Sequence, residues 1–159
     1  MEIKCLIERE PMGTAGPIWM AAEHLLDKNS EIFFVLNSDI VCHYEFSKML
    51  EKHRSHSGMA TMCVKDVEDP SKFGVVVADD NGQVQEYKQN PKSFLSTKVN
   101  AGVYLFSTSL INSGKIKSIP SSLEKDILPM LAKEGNLFCV SLDRFWMDIG
   151  DPHNYLLGT

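Results

Sequence analysis

The sequence predicts an α/β fold: a three-layer sandwich around a mostly parallel, Rossmann-like sheet, with an antiparallel hairpin inserted. Three observations carry this. Ile32–Leu36 is a short, unbroken apolar run, the pattern of a central strand covered on both faces in a parallel sheet. Similar short runs alternate along the chain with segments of helical period. Between two strand-like runs lies Asp79-Asp-Asn-Gly82, whose Asn-Gly pair signals a hairpin turn.

At 159 residues, with 43% hydrophobic and 23% charged side chains, the chain is long enough for one domain with a real core. A net charge of −5 offers no basic face for a nucleic-acid backbone, so a polymer partner of that kind is not expected. Cys5, Cys42, Cys63 and Cys139 are scattered, with no Cys-x-x-Cys pair, which argues against zinc or a disulfide framework and fits a reducing compartment. No apolar run reaches membrane-spanning length, and the charged N-terminus is unlike a signal peptide, so a cytoplasmic protein is expected.

In order, residues 3–7 read as a strand that begins almost at once, with no preceding strand beside it. That abruptness suggests an N-terminal portion outside the sequence. A Gly/Pro loop follows, and Pro17 suits the first turn of a helix over 17–28, with Ile18, Ala22, Leu25 and Leu26 on one face. After the 32–36 strand the chain heads towards a helix over 44–57 carrying Phe46, Met49, Leu50 and His53 at helical spacing, stopped by Gly58. His53 and His56 lack further ligands at a metal-binding spacing and read as a solvated helix end. Strands are expected over 59–64, 73–78, 83–88, 99–106 and 137–142. Ser121-Ser-Leu-Glu124 matches a capping box, in which Glu124 caps, and Pro129 must kink or split the helix that follows.

Some residues point to chemistry. Asn37-Ser38-Asp39 lies at a strand's carboxyl end, where open α/β sheets bind ligands. Asp39 there is either a ligand for a hard cation such as Mg²⁺ or a cap or turn residue. Asp148 also follows an apolar run and precedes a turn, so the two carboxylates could hold one divalent cation between them. Gly13 to Gly16 either present backbone N–H groups to a phosphate or the edge of a base, or form an ordinary loop. Gly102, early in its strand, marks a close approach of ligand or backbone.

Six segments together resemble the sugar-1-phosphate nucleotidylyltransferases, and among them the catalytic type of mannose-1-phosphate guanylyltransferase. They are Glu10-Pro-Met-Gly-Thr-Ala-Gly-Pro17, Phe34-Val-Leu-Asn-Ser-Asp39, Pro70-Ser-Lys-Phe-Gly-Val-Val-Val77, Asn100-Ala-Gly-Val-Tyr104, Ser122-Leu-Glu-Lys125 and Phe145-Trp-Met-Asp-Ile-Gly150. The resemblance implies one partial nucleotidyltransferase domain over 1–159. It implies Mg²⁺ held by Asp39 and Asp148, and a purine ring against Gly13 and Thr14. Gly74, Asn100, Gly102 and Glu124 would line the sugar-phosphate pocket. The implied substrates are GTP and mannose 1-phosphate, giving GDP-mannose and pyrophosphate. Glucose-1-phosphate thymidylyl- and uridylyltransferases are the runner-up, since only the Gly-Thr-Ala-Gly environment argues for guanine.

Two departures temper this. The family's glycine-rich loop with Arg and Lys, resembling Gly-x-Gly-x-Arg-Leu, is not in the sequence, nor is the C-terminal β-helix. Aligning on Pro91 puts Gln89 and Asn90 where the family carries Glu and a phosphate-binding Lys. The chain alone is therefore expected to be impaired. The alternatives are a non-catalytic paralogue acting on a full-length homologue, or a truncated or split gene. A missing first strand predicts an exposed sheet edge and association, as a homo-oligomer or with a full-length homologue.

Overall fold

The computed structural model describes residues 3–26, 30–117 and 120–158. Its main sheet has six strands. They are β1 (Ile32–Leu36), β3 (Ala60–Asp66), β4 (Gly74–Ala78), β5 (Val84–Gln89), β6 (Lys98–Ser107) and β7 (Leu137–Ser141), and β5-β4-β6-β3-β7 are neighbours in that order. β1 pairs with β6 over Val103 to Ser107, on the side where β4 meets β6 at Val99. β2 (Ile40–Cys42) and β8 (Trp146–Asp148) form a separate two-stranded sheet.

β1, β3, β4 and β7 point one way and β5 and β6 the other, so strand direction is mostly parallel. The ladders themselves are nearly all antiparallel, because β6 runs between β3 on one side and β1 and β4 on the other; only β3 and β7 pair in parallel. β6 is the central strand, and β1 is not: Phe33 is buried, but Leu36 is 41% exposed. One edge of β1 has no partner among the described residues, as an open sheet edge requires.

The three layers follow from the alternation of β6. Tyr104 and Phe106 face a core closed by α1 (Gly16–Met20), α4 (Ser109–Asn112) and α5 (Leu128–Lys133). Ala101, Val103 and Leu105 face a second core closed by Met49 of α3 (Phe46–Arg54). The period of two along one strand thus supplies both faces.

Residues 3–7 form no strand, and Ile3 and Ile7 are exposed. No described strand lies beside them, so their backbone has no ladder to join. The helix expected over 17–28 is two short pieces, α1 and α2 (Ala22–Leu26), broken at Ala21; its expected end lies outside the described residues. The hairpin forms as expected. Its turn is closed by Gly82 N–H donating to the Asp79 carbonyl at 2.9 Å, with Gly82 at φ +71°.

His53 and His56 are not a solvated helix end. Gly58 N–H donates to His56 Nδ1 (3.1 Å), so the His56 proton sits on Nε2 and is given to Thr61 Oγ1 (2.8 Å). Thr61 then donates to His53 Nδ1 (2.9 Å), and His53 Nε2–H donates to Ser107 Oγ (2.9 Å). A single backbone N–H therefore sets the direction of a buried relay pinning α3 to β3 and β6. Burial lowers the His53 pKa; burial, His53 and Lys52 bring His56 down to about 4. Both rings are neutral near pH 7.

A candidate sugar-nucleotide cleft

The cleft opens where the small β2–β8 sheet meets the end of β6, and has a volume of about 240 Å³. After β1 the chain does not go directly to a helix. It turns at Ser38 and Asp39 into β2, because Asn37 N–H donates to the Gly102 carbonyl (2.9 Å) and Ile149 N–H to the Asp39 carbonyl (2.8 Å). Ile40 then pairs with Asp148, which brings together two positions far apart in sequence. A Cβ built on Gly150 would lie 3.0 Å from Asp148 Oδ1 and 3.1 Å from Asp39 Oδ2. The two oxygens are therefore no further apart than the sum of those distances. Among the described residues neither carboxylate has an ion pair. An adjacent pair of carboxylates with no ion pair among the described residues, on the cleft wall, suits a hard divalent cation.

Gly102 holds this junction. It sits at φ +71°, and a Cβ there would lie 2.9 Å from Ile40 and 3.0 Å from the Asn37 side chain. The close approach expected at this glycine is thus made by protein groups at the cleft edge. Trp146 bolts the small sheet on by donating Nε1–H to the Ala101 carbonyl at 2.9 Å.

Opposite the carboxylates, the floor is a hydrogen-bonded wall. Asn100 Nδ2 donates to the hydroxyls of Tyr104 (2.7 Å) and Tyr87 (3.3 Å), while its Oδ1 accepts from Gly102 N–H (3.1 Å). Tyr87 donates onward to Gln89 Oε1 (3.0 Å). Burial raises the pKa of both phenols, which stay protonated donors. Gly74 lies beside this wall, and a Cβ there would overlap the Tyr87 hydroxyl.

Glu124 does not cap. Ser122 is the N-cap, accepting from Lys125 N–H (3.1 Å), and Asp126 returns the bond by accepting from Ser122 N–H (2.8 Å). Glu124 Oε2 instead accepts from Thr14 Oγ1 (2.6 Å) and Ser122 Oγ (2.9 Å). The backbone there is a π-helical turn (Leu123–Ile127) before α5. Pro129, which has no N–H and crowds the preceding turn, accounts for the irregularity.

Asp39, Asp148, Gly74, Asn100, Gly102 and Glu124 all line the cleft. Gly13 and Thr14 adjoin it through Glu124 rather than lining it. Gly13 is at φ +73°, with its α-carbon against the Ser121 carbonyl, and the N–H groups of Ala15 and Gly16 are committed to Ser121 and Gly13. Gln89, which stands where the family carries Glu, also lines the cleft, as do Lys72, Lys125 and Trp146, which the sequence did not single out. These last three lie within motif segments, but a loop lysine reads by default as solvated, and nothing local tells a lining one apart.

The sequence model of the nucleotidyl transferase family matches residues 1–158. The mannose-1-phosphate guanylyltransferase catalytic subunit beta of Xenopus tropicalis is 47% identical over 152 residues, covering 95% of this chain and 41% of that protein. Mannose-1-phosphate guanylyltransferase 1 of Arabidopsis thaliana is 44% identical over 159 residues, covering 99% and 44%. The chain thus spans less than half the length of these relatives. Among solved structures, HddC from Yersinia pseudotuberculosis superposes with a TM-score of 0.77 at 25% identity, over 96% of this chain and 63% of that one.

Proposed function

This chain belongs to the nucleotidyl transferase family, and from that premise we propose that it forms the sugar-phosphate and metal side of a guanylyltransferase site making GDP-mannose from GTP and mannose 1-phosphate. The observation that carries the reading is the convergence of Asp39 and Asp148 over Gly150, beside the Asn100 wall. The substrates are those in the relatives' names. Asp39 and Asp148 would hold Mg²⁺, which when bound neutralises phosphate charge and orients the reacting groups. The sugar-phosphate oxygen attacks the α-phosphorus of the nucleotide; one P–O bond forms, the α–β bridging bond breaks, and pyrophosphate leaves. The chain's residues position and exclude water: the Asn100–Tyr87–Gln89 relay fixes a polar floor, and Glu124, steadied by Thr14, presents a carboxylate oxygen to sugar hydroxyls. Gly13 and Thr14 would meet the purine edge. The four free thiols fit a reducing cytoplasm.

These residues include no glycine-rich basic loop for the triphosphate, so turnover by the 159-residue chain alone should be at least about a hundredfold below that of a full-length relative. Pyrophosphate release from GTP and mannose 1-phosphate measures this. GDP-mannose binding, followed calorimetrically with and without Mg²⁺, tests the site itself: Mg²⁺ should tighten it, and Asp39→Ala should abolish that gain. An Mg²⁺-independent affinity would defeat the metal assignment. A second reading, association with a full-length homologue, is favoured by the open edge of β1.

A further inference from the structure

We infer that Lys72 and Lys125 act as a two-point clamp on the phosphate monoester of the sugar-phosphate substrate. This rests on the sugar-phosphate reading of the cleft and adds the groups that would hold its anion. The need is one of charge. The cleft carries three carboxylates, from Asp39, Asp148 and Glu124, and its only cationic side chains among the described residues are Lys72 and Lys125. Gln89, on the wall beside Gly74, is neutral, so no other side chain lining the cleft brings positive charge to a dianion.

The two ammonium groups come from different elements on anchored backbone. Lys72 lies in the turn before β4, held by Ser71 N–H donating to Asp69 Oδ1 (3.0 Å), Phe73 N–H to the Pro70 carbonyl (3.1 Å) and Asn90 N–H to the Phe73 carbonyl (3.1 Å). Lys125 lies in the π-helical turn, its N–H held by Ser122.

Several lysines, Lys88, Lys92, Lys117 and Lys133 among them, have no close partner among the described residues; what sets Lys72 and Lys125 apart is that they also line the cleft. Lys48, Lys98 and Lys115 pair with Asp143, Asp66 and Glu134. Lys65 donates to the carbonyls of Leu142 and Arg144, and Lys52 to that of Asn81. Lys72 and Lys125 have no carboxylate or carbonyl within bonding distance among the described residues, although Asp69 feels the charge of Lys72. Two exposed lysines from different elements lining one cleft, each with its donors available, are suited to bind a phosphate with charge-assisted hydrogen bonds.

The test is a titration of mannose 1-phosphate into the 159-residue chain with Mg²⁺ present, read by NMR on the Trp146 indole N–H in the cleft, with mannose and GTP in parallel. Lys72→Gln and Lys125→Gln should each weaken mannose 1-phosphate by about five- to tenfold, as expected for an exposed charge contact. Lys72→Arg should stay within about twofold of the parent, since it keeps the charge. Mannose, lacking the phosphate, should respond equally to all variants, and GTP should change by less than about twofold. If the parent binds mannose 1-phosphate and the glutamine variants bind it equally well, the clamp is wrong and the reading of the cleft stands. Equal weakening of GTP reassigns the lysines to the nucleotide and also overturns it. If the parent shows no response at Trp146, the cleft reading falls and takes the clamp with it.

Discussion

The cleft has two walls built on different principles. The floor is built on the long central strand, which carries Asn100 and Tyr104, and on β5, which carries Tyr87: Tyr104 is fully buried, Tyr87 nearly so, and each polar group is tied to the next. The carboxylate arm is a pair of three-residue strands, with Val41 40% exposed, Asp39 exposed and Asp148 half-buried. The floor is stabilised by packing on both faces. The arm is held mainly at its junctions, by Gly102, Trp146 and a few backbone bonds. A fold can thus place its charged chemistry on a small, weakly supported element, provided that element is stitched to a rigid one at defined points.

The largest effect should come from breaking that stitch at Gly102. Gly102→Ala combines a left-handed backbone with contacts to Ile40 and Asn37 that are too close. A cost of about 2–4 kcal/mol is expected in urea unfolding, together with loss of GDP-mannose binding. An alanine variant of full stability would show that the arm moves freely, and the contrast between the walls would fail.

Asp148→Asn sharpens the contrast from the other side. It removes a charge and keeps the shape, so Mg²⁺-dependent GDP-mannose binding should fall about a hundredfold, near 2.8 kcal/mol of affinity. Thermal stability should be unchanged or slightly raised, because two neighbouring carboxylates no longer repel. Calorimetry and a melting curve on the same sample decide it.

Trp146→Phe should cost less, about 1–2 kcal/mol, since it leaves the Ala101 carbonyl without its donor. The informative readout is local. Amide hydrogen exchange should accelerate in β2 and β8 while β3 and the core of β6 keep their protection. Equal acceleration everywhere would mean that arm and floor unfold as one unit.

This division also explains what could be read from the sequence. Strands, the hairpin and the lining residues Asp39, Asp148, Gly74, Asn100, Gly102 and Glu124 follow from apolar runs, turn residues and motif segments. The centrality of β6 does not: an apolar pentapeptide at residues 32–36 looks buried, whereas the pairing that makes it flank β6 depends on residues 70 positions away. Residues 3–7 have strand composition but no strand beside them among the described residues, and a strand is a property of a pair. Glu124 reads as a cap because Ser121-Ser-Leu-Glu124 has capping-box spacing, but the turn starts one residue later, at Ser122, and Asp126 takes the return bond. Lys72 and Lys125 gain meaning only when the cleft closes round them.

The gentlest perturbation is pH, and it acts where α3 packs on β3 and β6. His53 and His56 are held neutral in the fold, His56 down to about 4, by burial first and then by the neighbouring His53 and Lys52. In the unfolded chain both should titrate near the ordinary value of 6.5. Folded pKa values below unfolded ones mean that the stabilisation is complete above about pH 6.5 and is lost progressively as pH falls towards 4. Protonating His56 at Nδ1 also sets that atom against Gly58 N–H and breaks the relay at its first link. Urea midpoints should therefore drift down only slightly from pH 7 to 6 and faster below. His56→Asn, which can accept from an N–H and donate onward without titrating, should flatten part of that slope. A slope unchanged in this variant would mean that carboxylates, and not the relay, set the acid limit.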